Sequence, residues 1–199
     1  KDASYAFGMA IANNFKDIAI ELDYKAFLDG MKDVLDKNAP KFSMEEAETI
    51  IQTAITAAMS RQAELASAKE AAFLAENGKK AGVTTTASGL QYEVLKTGTG
   101  PKPMEDHVVT VHYTGSLLNG EVFDSSVQRG EPLELHLHSV IPGWSEGIQL
   151  MNVGSSHKIY IPSALAYGIE GAGGVIGPNE TLIFEVELLS TEEDDCSEQ

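Results

Sequence analysis

Aromatic and acidic side chains cluster between Tyr113 and Phe184 in a pattern that could hold a small apolar ligand. At its centre stands Val140-Ile141-Pro142-Gly143-Trp144, where the single tryptophan sits beside two β-branched residues and a Pro-Gly break. Tyr113, the pair Phe123-Asp124, Tyr167 and Phe184 flank it. Trp and Tyr combine a large apolar body with one polar handle. An apolar pocket lined by such residues, with a few polar groups, is the common form of a small-ligand site. The competing reading is ordinary core, because aromatics scattered through strands are buried more often for packing than for binding.

Other chemistry finds less support. No Ser, Cys or Lys stands in a nucleophile motif, so any catalysis is expected to be non-covalent. His136 and His138 share one strand face, but no third ligand has a suggestive spacing, and no metal or other cofactor is expected. Gly168 to Gly177 is glycine-rich without the dinucleotide-binding pattern and opens no helix; it reads as an irregular loop over a site. Asn179-Glu180-Thr181 fits a glycosylation sequon too short to carry weight.

These residues need a scaffold, and the periodicity supplies one. From Gly89 onward the hydrophobic period is two. Leu90, Tyr92 and Val94 alternate with polar residues, as do Val109, Val111 and Tyr113, then Leu133, Leu135 and Leu137, and finally Leu182, Phe184, Val186 and Leu188. Asn119-Gly120 is a tight-turn signal between two such runs. A short helix is expected from about Trp144 to Met151, and a further strand at Lys158 to Ile161. Upstream the period is helical. Tyr24, Phe27, Leu28, Met31, Val34 and Leu35 form one wide stripe behind an N-cap at Asp23. Ser43-Met44-Glu45-Glu46 is a capping box, and no Gly or Pro follows until Gly78. That predicts a helix about 50 Å long. Its second half, rich in Ala with interspersed charge, reads as a semi-rigid spacer; the alternative is a helix packed along the C-terminal domain.

The expected architecture is α+β. A helical dimerisation domain (1–42) leads into a long connecting helix (43–77) and a Thr-rich linker (78–88). An antiparallel β-sheet wrapped on a short helix follows (89–190), then a disordered acidic tail (191–199). The N-terminal stripes are too large for so short a segment to bury, so a second copy is expected to cover them. The pocket candidates all fall in the C-terminal half, so residues 83–190 are expected to fold alone and to hold the whole pocket. The formal net charge of -16 excludes nucleic acid as a natural partner. The one cysteine, Cys196, permits no internal disulfide. No transmembrane run or signal peptide is visible. The chain begins at Lys1 rather than Met, so a preceding segment is expected to have been removed.

Five blocks, taken in order, resemble the FK506-binding-protein (FKBP) family of peptidyl-prolyl isomerases: Val111-His112-Tyr113-Thr114-Gly115, Phe123-Asp124-Ser125-Ser126, Val140-Ile141-Pro142-Gly143-Trp144, Ala166-Tyr167-Gly168 and the run from Thr181 to Leu189. Tyr5-Ala6-Phe7-Gly8, Phe27-Leu28-Asp29-Gly30-Met31 and the capped long helix are similar to the dimerisation region of the macrophage-infectivity-potentiator subgroup. The resemblance implies a proline ring on the Trp144 indole, walled by Tyr113, Phe123 and Phe184, with Val140 and Ile141 along its edge. It implies donors to substrate carbonyls from the Ile141 N–H and the Tyr167 hydroxyl, and Asp124 tied to Tyr113 and Arg129. Arg129, Leu133, Val175 and Ile176 would also contribute to substrate binding. Two departures stand out: Leu133, where the family often has an aromatic, and Ala172, where a histidine is frequent. Both are expected to alter preference rather than abolish activity. The implied partners are proline-containing peptides, unfolded proteins, a second copy through the N-terminal helices, and macrolides of the FK506 or rapamycin type as inhibitors. The implied location is periplasmic or outer-membrane associated in a bacterium, with a cytoplasmic relative as the alternative. Competing functions are a folding chaperone or a surface interaction protein in which isomerisation is incidental.

Overall fold

The computed structural model describes residues 1–13, 15 and 20–193. Cys196 and the rest of the tail beyond Glu193 lie outside the described residues. The chain divides into two compact units, Lys1–Leu65 and Ala66–Gln199, with the cut inside one helix.

In the first unit, helices α1 (Asp2–Asn13) and α2 (Tyr24–Leu35) precede α3 (Met44–Asn77). Asp23 caps α2 by accepting from the Lys25 and Ala26 N–H groups at 2.9 and 3.0 Å. Ser43 and Glu46 form the reciprocal capping box of α3: the Ser43 N–H donates to Glu46 at 2.8 Å, and the Glu46 N–H donates to Ser43 Oγ at 3.2 Å. Neither α1 nor α2 contains a buried residue. Phe27 of the stripe meets Phe15 edge-on at 6.2 Å, but Tyr24, Leu28, Val34 and Leu35 stand exposed, so among the described residues most of the stripe is left uncovered. No helix among the described residues is long and apolar enough to cross a membrane.

The second unit is a seven-stranded antiparallel sheet wrapped on a short helix. Its strands are β1 (Val83–Thr85), β2 (Gln91–Lys96), β3 (His107–Leu117), β4 (Val122–Ser125), β5 (Leu133–His136), β6 (Ser156–Ile161) and β7 (Leu182–Glu193). They run in the order β1-β2-β6-β7-β3-β4, with β5 also paired to β3. Between β4 and β5 lies α4 (Ser126–Arg129), and α5 (Pro142–Gln149) packs on the sheet after β5. Pro142 starts α5 two residues before the expected point, since proline is preorganised for the first helical turn. Alternation decides the faces. Ile159 and Ile161 enter the core with Ile148 of α5, while Tyr160, pointing the other way, is covered separately.

Three expectations change here. The second half of α3, read first as a semi-rigid spacer, follows at its end the alternative of packing on the C-terminal domain. Glu70, Phe73, Leu74 and Asn77 fall at i, i+3, i+4 and i+7, which is one helix face. Phe73 lies 5.8 Å from the Tyr160 ring. Asn77 Nδ2 donates to Gln91 Oε1 at 3.0 Å, and Gln91 Nε2 donates to the Leu74 carbonyl at 2.8 Å. The segment 78–88 is not all linker, because its Thr run forms β1 and pairs Thr84 with Tyr92; threonine, being β-branched, suits a strand edge. Residues 191–193 are not disordered. They extend β7 opposite His107, Val108 and Val109, because backbone pairing tolerates polar side chains on an open face.

Candidate active site

Strands β3, β4 and β7 and helix α5 bring four aromatic rings together. Trp144, from the first turn of α5, meets Tyr113 edge-on at 5.0 Å and Phe184 edge-on at 5.1 Å. Phe123 meets Phe184 at 5.6 Å and 86°. Edge-to-face contact is the favoured arrangement of aromatic quadrupoles and locks the rings against one another. Gly115, paired with Phe184 across β3 and β7, makes room for them. A Cβ there would lie 2.7 Å from both the Phe123 and the Phe184 rings. The Trp144 Nε1–H is buried with no hydrogen-bond partner among the described residues, and the indole packs within the core cluster.

Above these rings is a cavity of about 390 Å³. Tyr113, Phe123, Asp124, Trp144, Tyr167 and Phe184 all line it, as do Leu133, Val140 and Ile141. Leu135 and Ser139 line it too, and the sequence reading did not select them. Leu135 shares a strand face with Leu133, so the two-residue period could have found it. Nothing in the sequence marks Ser139, which sits in the turn after β5 and donates from Oγ to the His136 carbonyl at 2.8 Å.

Three expected residues lie outside the cavity wall. Ile176 is turned into the core and Val175 is half exposed, because a bridge between Ala172 and Ile176 folds their loop back on itself. Arg129 stands behind Asp124. Ser125 caps α4 by accepting from the Gln128 N–H at 3.2 Å, and this one-turn helix returns Arg129 over the Tyr113 ring, 5.7 Å from its centroid.

The polar wall is closed on itself. The Tyr113 hydroxyl donates to one Asp124 oxygen, and Arg129 Nη1 donates to the other. Arg129 Nη2 donates to the Tyr113 oxygen at 3.0 Å. Burial pushes the Asp124 carboxyl up, but the hydrogen bonds from Tyr113 and Arg129 and the guanidinium charge outweigh it and hold it below its ordinary value. Burial, joined by the bond to the Asp124 carboxylate, pushes the Tyr113 hydroxyl up. At neutral pH the carboxylate is therefore ionised and the phenol neutral. The wall can supply a fixed field; its protons are already committed. Among the described residues no group of three His, Cys, Asp or Glu could hold a metal ion.

An antiparallel sheet wrapped on one short helix, with an aromatic cavity at the helix N-terminus, defines a small-ligand or peptide-binding α+β domain. Residues 100–189 match the family described as FKBP-type peptidyl-prolyl cis-trans isomerase, and residues 1–94 match the domain amino terminal to it. A probable FKBP-type peptidyl-prolyl cis-trans isomerase, FkpA, of Neisseria meningitidis serogroup B is 43% identical over 95% of this chain and 73% of its own. An outer membrane protein, MIP, of Legionella longbeachae is 39% identical over 94% of this chain and 83% of its own. The crystal structure of FkpA from Escherichia coli superposes with a TM-score of 0.78 at 34% identity and covers 96% of each chain. The chain belongs to the FKBP-type peptidyl-prolyl cis-trans isomerases.

Proposed function

We propose that the 390 Å³ cavity seats the proline of an X–Pro segment on the Trp144 indole and rotates the preceding amide bond there. Tyr113, Phe123 and Phe184 wall the ring, and Val140, Ile141 and Leu133 border it. The Ile141 N–H and the Tyr167 hydroxyl donate to substrate carbonyls on either side. Amide resonance sets the barrier to rotation at about 18–20 kcal/mol. Twisting the bond breaks that resonance and removes much of the amide's polarity. Water solvates the planar amide better than the twisted one, whereas an apolar cavity does not. The cavity therefore binds the twisted state better, which lowers the barrier without covalent chemistry. Asp124 contributes a local field. Its hydrogen bonds to Tyr113 and Arg129 leave it no base role.

The observation carrying this reading is the set of four interlocked aromatic rings beside a carboxylate whose bonds are already used. A protease-coupled isomerisation assay on a short X–Pro peptide tests it. Phe123→Ala is expected to cost more rate than Asp124→Asn, which keeps shape and one acceptor. Circular dichroism must accompany the assay, since Phe123 is partly buried against the core and truncating a fully buried aromatic can cost about 3–5 kcal/mol of stability. A folded but inactive Asp124→Asn beside an active Phe123→Ala would overturn the mechanism. Macrolides of the FK506 or rapamycin type are expected to compete for the same cavity.

The exposed stripes of α1 and α2 support a second component: residues 1–42 pair with a second copy, and the dimer holds unfolded clients. We assign residues 43–77 to the connecting helix and 83–193, from the first strand to the last, to the isomerase core. A periplasmic or outer-membrane-associated location in a bacterium fits the naming of the Legionella relative as an outer membrane protein.

A further inference from the structure

Three backbone and side-chain donors from the isomerase unit converge on one carboxylate of the connecting helix. Glu70 accepts from the Ser163 N–H at 2.7 Å and from the Ser163 hydroxyl at 2.9 Å. It also accepts from the Thr181 hydroxyl at 2.8 Å. Ser163 and Thr181 are buried. They are the two ends of the segment that carries Tyr167 between β6 and β7. The Ser163 carbonyl in turn accepts from the Ala166 N–H at 3.0 Å and the Gly168 N–H at 2.9 Å, the amides on either side of Tyr167. The Asn179 N–H closes the segment onto the Gly168 carbonyl at 2.8 Å.

A segment of this kind needs an anchor. Gly168, Gly171, Gly173 and Gly174 all take positive φ, so much of its backbone has wide conformational freedom. Tyr167 itself is 42% exposed and gains little from packing. With so little packing around the ring, the path of the backbone beneath it has a large part in where the hydroxyl sits.

We propose that Glu70 is a positioning residue of the isomerase site: by clamping Ser163 and Thr181 together, it fixes the loop that presents the Tyr167 hydroxyl to substrate. The inference rests on the reading of Tyr167 as a substrate donor. It makes the C-terminal end of α3 a working part of the pocket. Glu70 touches no substrate; its effect passes through Ser163 to the amides flanking Tyr167.

The test uses the full chain and five variants, with steady-state isomerisation of a short X–Pro peptide. Gln91→Ala is the control, because it loosens the end of α3 by removing the bonds to Leu74 and Asn77 while sparing Ser163 and Thr181. Glu70→Ala is expected to raise KM about tenfold with a smaller change in kcat, below the roughly hundredfold loss that a misplaced group can cause. Gln91→Ala is expected to leave KM unchanged. Tyr167→Phe should raise KM to a similar degree. The double variant Glu70→Ala/Tyr167→Phe should resemble Tyr167→Phe alone, because the clamp has no hydroxyl left to aim. Amide hydrogen exchange within 163–181 should quicken in Glu70→Ala and not in Gln91→Ala. Where Glu70→Ala is unfolded, Glu70→Gln gives a smaller shift in the same direction, since it keeps volume and one acceptor oxygen. A KM for the Glu70 variant no higher than that of Gln91→Ala, or effects of Glu70→Ala and Tyr167→Phe that multiply, overturns the clamp alone. An unaltered KM in Tyr167→Phe overturns the reading of Tyr167 and the clamp with it.

Discussion

Asp124 sets the pH behaviour of the site. Its carboxyl is held below the ordinary value, near 3.9, chiefly by bonds that outweigh burial. A group with a depressed folded pKa stabilises the fold above its unfolded value and loses that contribution as pH falls through the folded one. Isomerisation is therefore expected to stay nearly flat from about pH 6 to 8; a bell-shaped profile centred near neutrality would point to proton transfer. Arg129→Met removes the guanidinium and should raise the Asp124 pKa, so the acid-side loss begins at higher pH. Carboxyl NMR titration of the two proteins checks this, and identical Asp124 curves would count against it. The side chain is 41% exposed, so solvent screening keeps the stability effect small. At this scale much of the site could be read in advance, because the aromatics and Asp124 are chemically distinctive and lie in recognisable blocks. Ser139 and the inward turn of Ile176 could not, since each follows from a loop's path rather than from residue type.

At the scale of elements, strands were easier to read than the end of α3. Alternation along β3 and β7 states which face is buried, and the structure follows it. The face made by Glu70, Phe73, Leu74 and Asn77 was hidden in an Ala-rich run because its meaning lies in partners. Ser163 and Thr181 are 93 and 111 residues away in sequence. The bonding changes where a self-sufficient fragment should begin. A fragment of 83–190 omits the Glu70 and Asn77 contacts and the last three residues of β7. A fragment of 66–193 is expected to unfold at higher urea than one of 83–193 and to show the lower peptide KM. Equal midpoints and equal KM values would restore the shorter boundary.

For the whole molecule, the N-terminal stripes carry the remaining prediction. Met31→Glu with Leu35→Glu places two charges on the apolar face of α2, where burial against a second copy would cost several kcal/mol, on the order of 2–7 for each unpaired polar group. Light scattering should then report a monomer; a doubly charged variant that stays dimeric locates the interface elsewhere. Linked pockets in one dimer would raise local concentration toward a long client, so the double variant should lose more activity on unfolded proteins than on short peptides. The sheet has a different bearing on such clients. Its outermost strands are short: β1 has three residues, and β4 and β5 have four each. An extended chain that comes to rest beside them finds too few open amides to add itself as another strand. To a sticky, half-formed polypeptide such a sheet would offer a pocket to visit but little seam along which to aggregate.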